Sequence, residues 1–258
     1  MTKEEELMYA ILNNISNTDL PIVFKGALIT KLILSNNGFE DVSRSTEDID
    51  GNWVGEAPTM ESLVDSINRS LGDLSARYHA EAYRHYDIKK SAGIYIIDRN
   101  VNRNVLKMDI SIKPVFGDKV YRLGDMRIRG VIADEILADK LCVLSGHYIF
   151  RRAKDIIDVY ALSHCVDVNS ASILDICKLK GNEMKAFDEF YNRKHDVEHA
   201  YNKLRGVLGK PDFNDTYGHL DIFIKPFADK KDKNPGLQWN CKTKNWEAAL
   251  NETMSEIE

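Results

Sequence analysis

Cysteine is scarce in this chain of 258 residues, and its four thiols (Cys142, Cys165, Cys177 and Cys241) show no CxxC pair and no regular spacing. That excludes the usual zinc-site patterns and argues against a disulfide framework, so the thiols read as reduced. Glycine and proline are sparse as well, at 15 and 6 residues, beside 43% hydrophobic and 29% charged residues. Such a composition belongs to a folded globular chain, not to a fibrous or disordered one. No stretch approaches the roughly 18 apolar residues of a membrane span. The start, Met1-Thr2-Lys3-Glu4-Glu5-Glu6, is acidic where a secretory leader needs a basic opening and then an apolar run. These absences predict a cytoplasmic protein with no membrane partner. Positive charge is not in excess either: the net charge is -5, so the total does not announce a nucleic-acid binder. Locally the balance reverses, with twelve Lys or Arg against six Asp or Glu between Arg77 and Arg129. That surplus suits an anionic partner or a solvated pair of hairpin faces.

Hydrophobic periodicity supplies the elements. Leu7, Met8, Ile11, Leu12 and Ile15 predict an amphipathic helix ending near Asn17–Asp19. Ile22-Val23-Phe24 is a short strand that Gly26 breaks, and Ala27 to Leu34 follows as a helix stopped by Asn36-Asn37-Gly38. Thr46 to Val54 predicts a strand, and Thr59 or Ser62 can cap a helix to about Leu71. Gly93–Ile97 and Val105–Ile112 form a hairpin by pattern, around the polar run Asp98–Asn104. Beyond Gly130 the period turns helical, with one helix through Ile132, Ile136, Leu137, Leu141 and Leu144. A second runs through Ile156, Ile157, Tyr160 and Ala161, and weaker helices extend from about Ser172 to Leu208. The last thirty residues, with Lys230–Gly236, read as a loop and a short closing segment around Trp239 and Trp246. The fold class expected is α/β (α+β), divided near residue 130 into a mixed half and a mostly helical half.

Asp48-Ile49-Asp50 carries the chemistry. In a strand, residues two apart share a face, so both carboxylates project together. Their repulsion would drive a proton onto one of them, unless a divalent cation takes both as hard oxygen ligands. Asp109 lies in another predicted strand, between Met108 and Ile110, where an apolar run has no evident structural use for a charge. If the two strands pair, three carboxylates can hold two metal ions, one activating an attacking hydroxyl and one steadying a leaving pyrophosphate. Taken singly, each has a plainer account: DxD as a surface turn, Asp109 as an edge-strand charge that discourages aggregation. Upstream, Phe24-Lys25-Gly26-Ala27-Leu28 turns a strand into a helix. Backbone N–H groups there can approach a triphosphate, with a helix N-terminus behind them.

The order of these segments resembles the AbiEii/AbiGii toxin family of nucleotidyltransferases, found in abortive-infection and type IV toxin–antitoxin systems. The family's K-G-G-x-x-L turn corresponds to Lys25-Gly26-Ala27-Leu28, and its R-x-T-x-D-I-D segment to Arg44-Ser45-Thr46-Glu47-Asp48-Ile49-Asp50. Its lone strand aspartate corresponds to Asp109. Its E-x-L-A-x-K-L and R-x-x-D-x-x-D segments match Glu135–Leu141 and Arg152–Asp158. The resemblance covers about residues 20 to 165. It implies a nucleotidyltransferase-like mixed-sheet core over residues 1–130, flanked by helices, and a mostly helical domain over 131–258 that completes the nucleotide cleft.

As implied by that resemblance, Asp48, Asp50 and Asp109 are the metal ligands, with Lys140 and Asp155 joining them as catalytic residues. Lys25, Gly26, Ala27, Arg44, Thr46 and Asp158 are assigned to nucleotide binding. The cofactor implied is Mg²⁺ (or Mn²⁺), the substrate an NTP, the acceptor an RNA such as a tRNA 3′ end, and a further partner the cognate antitoxin. Ala27 departs from the family turn and removes a hydroxyl from the phosphate site. This motivates two alternatives, a degenerate member that only binds nucleotide or protein, and an enzyme with a protein hydroxyl as acceptor. From periodicity alone, Arg151/Asp155 and Lys154/Asp158 are equally surface pairs, and Lys140 leaves the core because the helix's other face is apolar. His195-Asp196-Val197-Glu198-His199 lacks the flanking glutamate of a zinc protease and reads as a solvated helix face.

Overall fold

Thr2 opens the first helix. Its hydroxyl accepts from the Glu5 N–H at 3.2 Å, and the Glu5 carboxylate accepts from the Thr2 N–H at 3.3 Å. This reciprocal cap satisfies two donors that the first turn would leave unpaired. The computed structural model describes residues 1–85, 91–228 and 236–248. The chain divides into two units, Met1–Ile136 and Leu137–Glu258.

In the first unit α1 (Lys3–Ser16) leads through β1 (Ile22–Lys25) into α2 (Gly26–Asn36), then β2 (Ser43–Arg44), β3 (Asp48–Trp53) and α3 (Met60–Ser70). Five strands follow: β4 (Tyr78–Arg84), β5 (Ser91–Asp98), β6 (Arg103–Ile112), β7 (Asp118–Leu123) and β8 (Met126–Val131). One mixed sheet takes seven of these strands in the order β4-β5-β6-β3-β1-β8-β7. β3 runs parallel to β6 and β1 parallel to β8, and the other neighbours are antiparallel. The parallel pairs need crossovers, and helices α2 and α3 lie in the connecting chain.

Alternation gives this sheet two unlike faces. On one, Ile22, Phe24 and Ile110 surround Gly51, where an added Cβ would press on Ile22 and Ile110 and touch Phe24. Helix α2 covers that face, with Ile29 against Gly130 of β8. Met8, Ile11, Leu12 and Ile15 of α1 are fully buried, and α1 packs against β8 and β1. Fully burying each such side chain stabilises by roughly 1.5–3 kcal/mol. The opposite face carries the carboxylates.

The second unit holds most of α4 (Ala133–Leu144), then α5 (Ala153–Cys165), β9 (Val168–Asn169), α6 (Ser170–Leu179), α7 (Asp188–Asn192) and α8 (Lys194–Lys203). β10 (Val207–Leu208), α9 (Phe213–Ala228), β11 (Leu237–Asn240) and β12 (Asn245–Ala248) complete it. β11 pairs antiparallel with both β12 and β9. The fully buried Trp239 of β11 donates its indole N–H to the Ser163 carbonyl at 2.7 Å. Beside it the His164 and His219 rings lie 4.0 Å apart, and His219 Nε2 is 2.7 Å from the Ser163 hydroxyl.

The expected α/β fold with a mixed sheet is the one found. The strand predicted over 46–54 begins only at Asp48, and the 93–97 and 105–112 strands are longer by three and two residues. Three sheet strands escaped the pattern: β4, β7 and β8, each only six or seven residues long and carrying Glu81, Lys119, Arg122 and Arg127 at exposed positions. The Trp239/Trp246 segment is a hairpin completing a three-stranded sheet, so the second half is less purely helical than its periodicity implied. Of the predicted Lys230–Gly236 loop, all but Gly236 lies outside the described residues.

Candidate active site

Register decides which carboxylates meet. Asp50 of β3 is the direct partner of Asp109 on β6, and Asp48 is the partner of Lys107. Directly opposed residues point to the same side of a sheet, so Asp48, Asp50 and Asp109 share one face. Ile49 and Met108, one residue along, are both fully buried on the other. Neighbouring strands lie about 4.8 Å apart, which sets the separation of the Asp50 and Asp109 backbones. A recess of about 250 Å³ opens at the Asp48 end, lined by Glu4, Glu47, Asp48, Asn104 and Lys107.

The other side of β3 brings the turn. Lys25 is the antiparallel partner of Asp50, and its ammonium donates to Asn52 Oδ1 at 2.7 Å, two residues along the same face. Lys25 therefore points onto the carboxylate face instead of away from it. Gly26 follows with φ of +73°, and a Cβ there would run into the Asp50 carboxylate, with Asp50 Cβ and Cγ each at 3.2 Å. Only a glycine lets the turn close on Asp50. Ala27 is buried at the start of α2. Ahead of β3, the Thr46 hydroxyl makes a long 3.4 Å bond to the Asp48 carbonyl, and an Arg44 guanidinium N–H reaches the Ser45 carbonyl at 3.5 Å.

Two residues that the sequence did not single out, Tyr83 and Arg84, complete this face. Pairing of β4 with β5 shifts between Ala82 and Arg84, and that bulge sends both Tyr83 and Arg84 toward Asp109. Arg84 donates to Asp109 Oδ1 at 2.6 Å and to the Ser91 hydroxyl at 3.0 Å, and Tyr83 donates to the same Oδ1 at 3.1 Å. Gly93, the β5 partner of Asp109, makes this possible, because a side chain there would collide with the Tyr83 ring. Burial and the Asp109 charge beside it push the Tyr83 hydroxyl above its usual pKa, so it stays a donor. Arg84 appeared in the sequence only as one member of the Arg77–Arg129 basic surplus. A bulge has no periodic signature that could have marked it.

Among the described residues, no group of three or more His, Cys, Asp or Glu side chains gathers closely enough to hold a metal. The Asp109 carboxylate is instead turned onto Arg84 and Tyr83. In kind and in strand placement the residues nevertheless fit a divalent cation: three hard oxygen donors on one face, with an open glycine against one of them. A guanidinium already supplies positive charge at Asp109.

In the second unit the Lys140 ammonium, on α4, sits 2.6 Å from Asp158 Oδ2 and 3.1 Å from Asp155 Oδ1, both on α5. Lys140 is 8% exposed and Asp158 3%. The expectation that Lys140 leaves the core is therefore corrected. Two carboxylates one turn apart on the facing helix hold its charge inside, so burial costs less than the apolar face implied. The alternative surface pairs are not the contacts found: Asp155 meets Arg152 at 3.9 Å as well as Lys140, and Asp158 is buried. His195 and His199 are exposed on α8.

A family model described as the nucleotidyl transferase AbiEii toxin of type IV toxin–antitoxin systems matches residues 7–255. The chain belongs to this family. As an AbiEii nucleotidyltransferase it is similar in fold to MenT4, a nucleotidyltransferase toxin from Mycobacterium tuberculosis. The two are 16% identical with a TM-score of 0.44, over 74% of this chain and 66% of that one. It is also similar to an antigenic nucleotidyltransferase-like protein from Paracoccidioides brasiliensis, at 12% identity and a TM-score of 0.45, over 78% and 92% of the two chains. No curated protein matches. No helix among the described residues is long and apolar enough to cross a membrane.

Proposed function

We propose that this AbiEii family member is a divalent-metal-dependent enzyme that moves a nucleotidyl group from an NTP to an acceptor hydroxyl. The acceptor proposed is an RNA, such as the 3′ end of a tRNA, and the setting is a cytoplasmic type IV toxin with a cognate antitoxin. The observation that carries this reading is the β3–β6 register, which sets Asp50 beside Asp109 on the face of Asp48 while the Gly26 turn closes on Asp50. Mg²⁺ or Mn²⁺ bound by Asp48, Asp50 and Asp109 would supply charge neutralisation at the phosphates and a more acidic acceptor hydroxyl.

The chain's own groups do the rest. The Gly26 turn and the start of α2 present backbone N–H groups to an anion, with no side chain in the way. Ala27 leaves that cradle to the backbone, and Lys25, on the same face, adds a positive charge. Arg44 and Thr46 precede the DxD and are proposed to border the nucleotide. By the family motif Lys140 and Asp155 act on the triphosphate, with Asp158 holding Lys140 in place. Residues 1–130 and 131–258 are proposed as the catalytic core and the domain that completes it.

Incubation with each α-labelled NTP, Mg²⁺ and total RNA tests this. Label in RNA supports the proposal, label only in protein replaces the acceptor, and bound but untransferred nucleotide favours the degenerate alternative.

A further inference from the structure

Arg84 stands out among the groups that the proposed chemistry does not use. Its guanidinium reaches Asp109 Oδ1 at 2.6 Å and Ser91 Oγ at 3.0 Å, yet its Nε is buried without a hydrogen-bond partner. A buried donor left unpaired is unfavourable, so a side chain that tolerates one has a better-satisfied position elsewhere or a missing acceptor. Asp109 accepts from both Arg84 and Tyr83 through a single oxygen, Oδ1. The bulge between Ala82 and Arg84 and the absent side chain at Gly93 are both needed to bring them there. Arg84 also lies on β4, an edge strand of the sheet, with a side chain 41% exposed and its guanidinium 5.7 Å from the Tyr83 ring centroid.

We propose that Arg84 is the internal counter-cation of Asp109, that a divalent metal displaces it, and that the released guanidinium then binds a phosphate oxygen of the nucleotide. This rests on the assignment of Asp109 as a metal ligand. Both halves follow from charge. Before metal arrives the Asp109 carboxylate needs a counter-charge, and the Arg84 guanidinium beside it supplies one. Once a divalent cation takes Asp109, the guanidinium is left beside two positive charges with its main partner gone. A polyanion entering at the same face provides acceptors for its free N–H groups, the unpaired Nε included. Arg84 is thus a positioning residue that sets how tightly the empty site takes metal, and afterwards a nucleotide-binding one.

Such a residue leaves a signature with two opposite signs. Removing it should strengthen metal binding, because nothing has to be displaced, and weaken phosphate binding, because one anchor is lost. Free Mn²⁺ measured by electron paramagnetic resonance gives the first, and calorimetric titration with inorganic tripolyphosphate at saturating Mg²⁺ gives the second. Arg84→Ala and Arg84→Gln are each expected to bind Mn²⁺ about three- to tenfold more tightly than the wild-type chain, the low end for a charge-assisted contact because the pair is half-exposed. Both should bind tripolyphosphate about tenfold more weakly. Mn²⁺ affinity unchanged or lower in both variants overturns the inference, and so does unchanged tripolyphosphate affinity. Asp109→Asn separates this from the proposed function. If it abolishes Mn²⁺ binding while the Arg84 variants behave as wild type, only the role of Arg84 fails. If it leaves Mn²⁺ binding intact, the metal assignment itself falls.

Discussion

Gly26 and Gly38 bracket α2 and together measure how closely the turn approaches Asp50. Both have positive φ, +73° and +71°. An alanine at either must adopt a left-handed backbone, which costs about 1–2 kcal/mol. The surroundings differ. A Cβ at Gly38 meets nothing within 4 Å, whereas one at Gly26 collides with the Asp50 carboxylate. Gly38→Ala therefore isolates the backbone strain, and Gly26→Ala adds the cost of driving Asp50 off its rotamer, about 0.5–1.5 kcal/mol more. The totals are about 1–2 kcal/mol for Gly38→Ala and about 1.5–3.5 kcal/mol for Gly26→Ala, read from urea midpoints at constant slope. In an Asp50→Ala background most of the obstruction is gone, and the Gly26→Ala cost should fall to the Gly38 level, a coupling of about 1 kcal/mol in the cycle. Activity should separate the two more sharply. Gly26→Ala moves the Asp50 carboxylate, a proposed metal ligand, and should lose the proposed nucleotidyl transfer by at least about a hundredfold, since misplacements of about 1 Å have that effect. Gly38→Ala, beyond the far end of α2, should keep it. Equal costs for the two glycines, with transfer preserved in Gly26→Ala, would refute the close approach and the nucleotide cradle built on it.

Asp50→Ala alone should fold with stability unchanged or slightly raised, because it removes one of several repelling carboxylates, while transfer and any toxicity disappear; an unfolded variant would show Asp50 to be structural. Lys140→Ala should destabilise the second unit by about 3–5 kcal/mol, since it strands the 3%-exposed Asp158 carboxylate without its cation. A loss under about 1 kcal/mol on chemical denaturation would contradict the buried network, and Lys140→Arg is the variant to use when NTP dependence is measured. Acid should weaken the fold through His219, whose pKa is pushed down to about 3 by burial and then by neighbouring His164 and Lys244. A histidine with a depressed folded pKa contributes stability fully above its unfolded value near 6.5 and loses it as the pH falls toward 3. At pH 5 that is about 2 kcal/mol, at 1.36 kcal/mol per unit. His219→Gln should therefore lose about 2 kcal/mol less than wild type between pH 7 and 5; parallel losses in the two proteins would remove His219 as the source.

The sequence alone was enough for whatever depends on near neighbours. Leu7, Met8, Ile11, Leu12 and Ile15 mark α1 because they recur at helical spacing, and Ile49 faces the core between two outward aspartates because strands alternate. The Gly26 break and the Asn36-Asn37-Gly38 stop, which bracket α2, likewise follow from local backbone preference. The order of the motifs pointed to the family for the same reason, since each is a short stretch whose chemistry is carried by adjacent residues. Tertiary structure decided the rest. That Asp109 stands beside Asp50 and not one residue out of register is a property of β3–β6 pairing across 59 residues of chain, and a one-residue slip would have sent it to the apolar face. Arg84 and Tyr83 reach Asp109 only through an irregularity in β4 and a missing side chain on β5. Lys140, which periodicity sends outward, stays buried because α5 presents two carboxylates to it. Periodicity records which side of an element is apolar. Which charge waits on the facing element is settled only when the two pack, and a buried ion is tolerated or rejected by that partner alone.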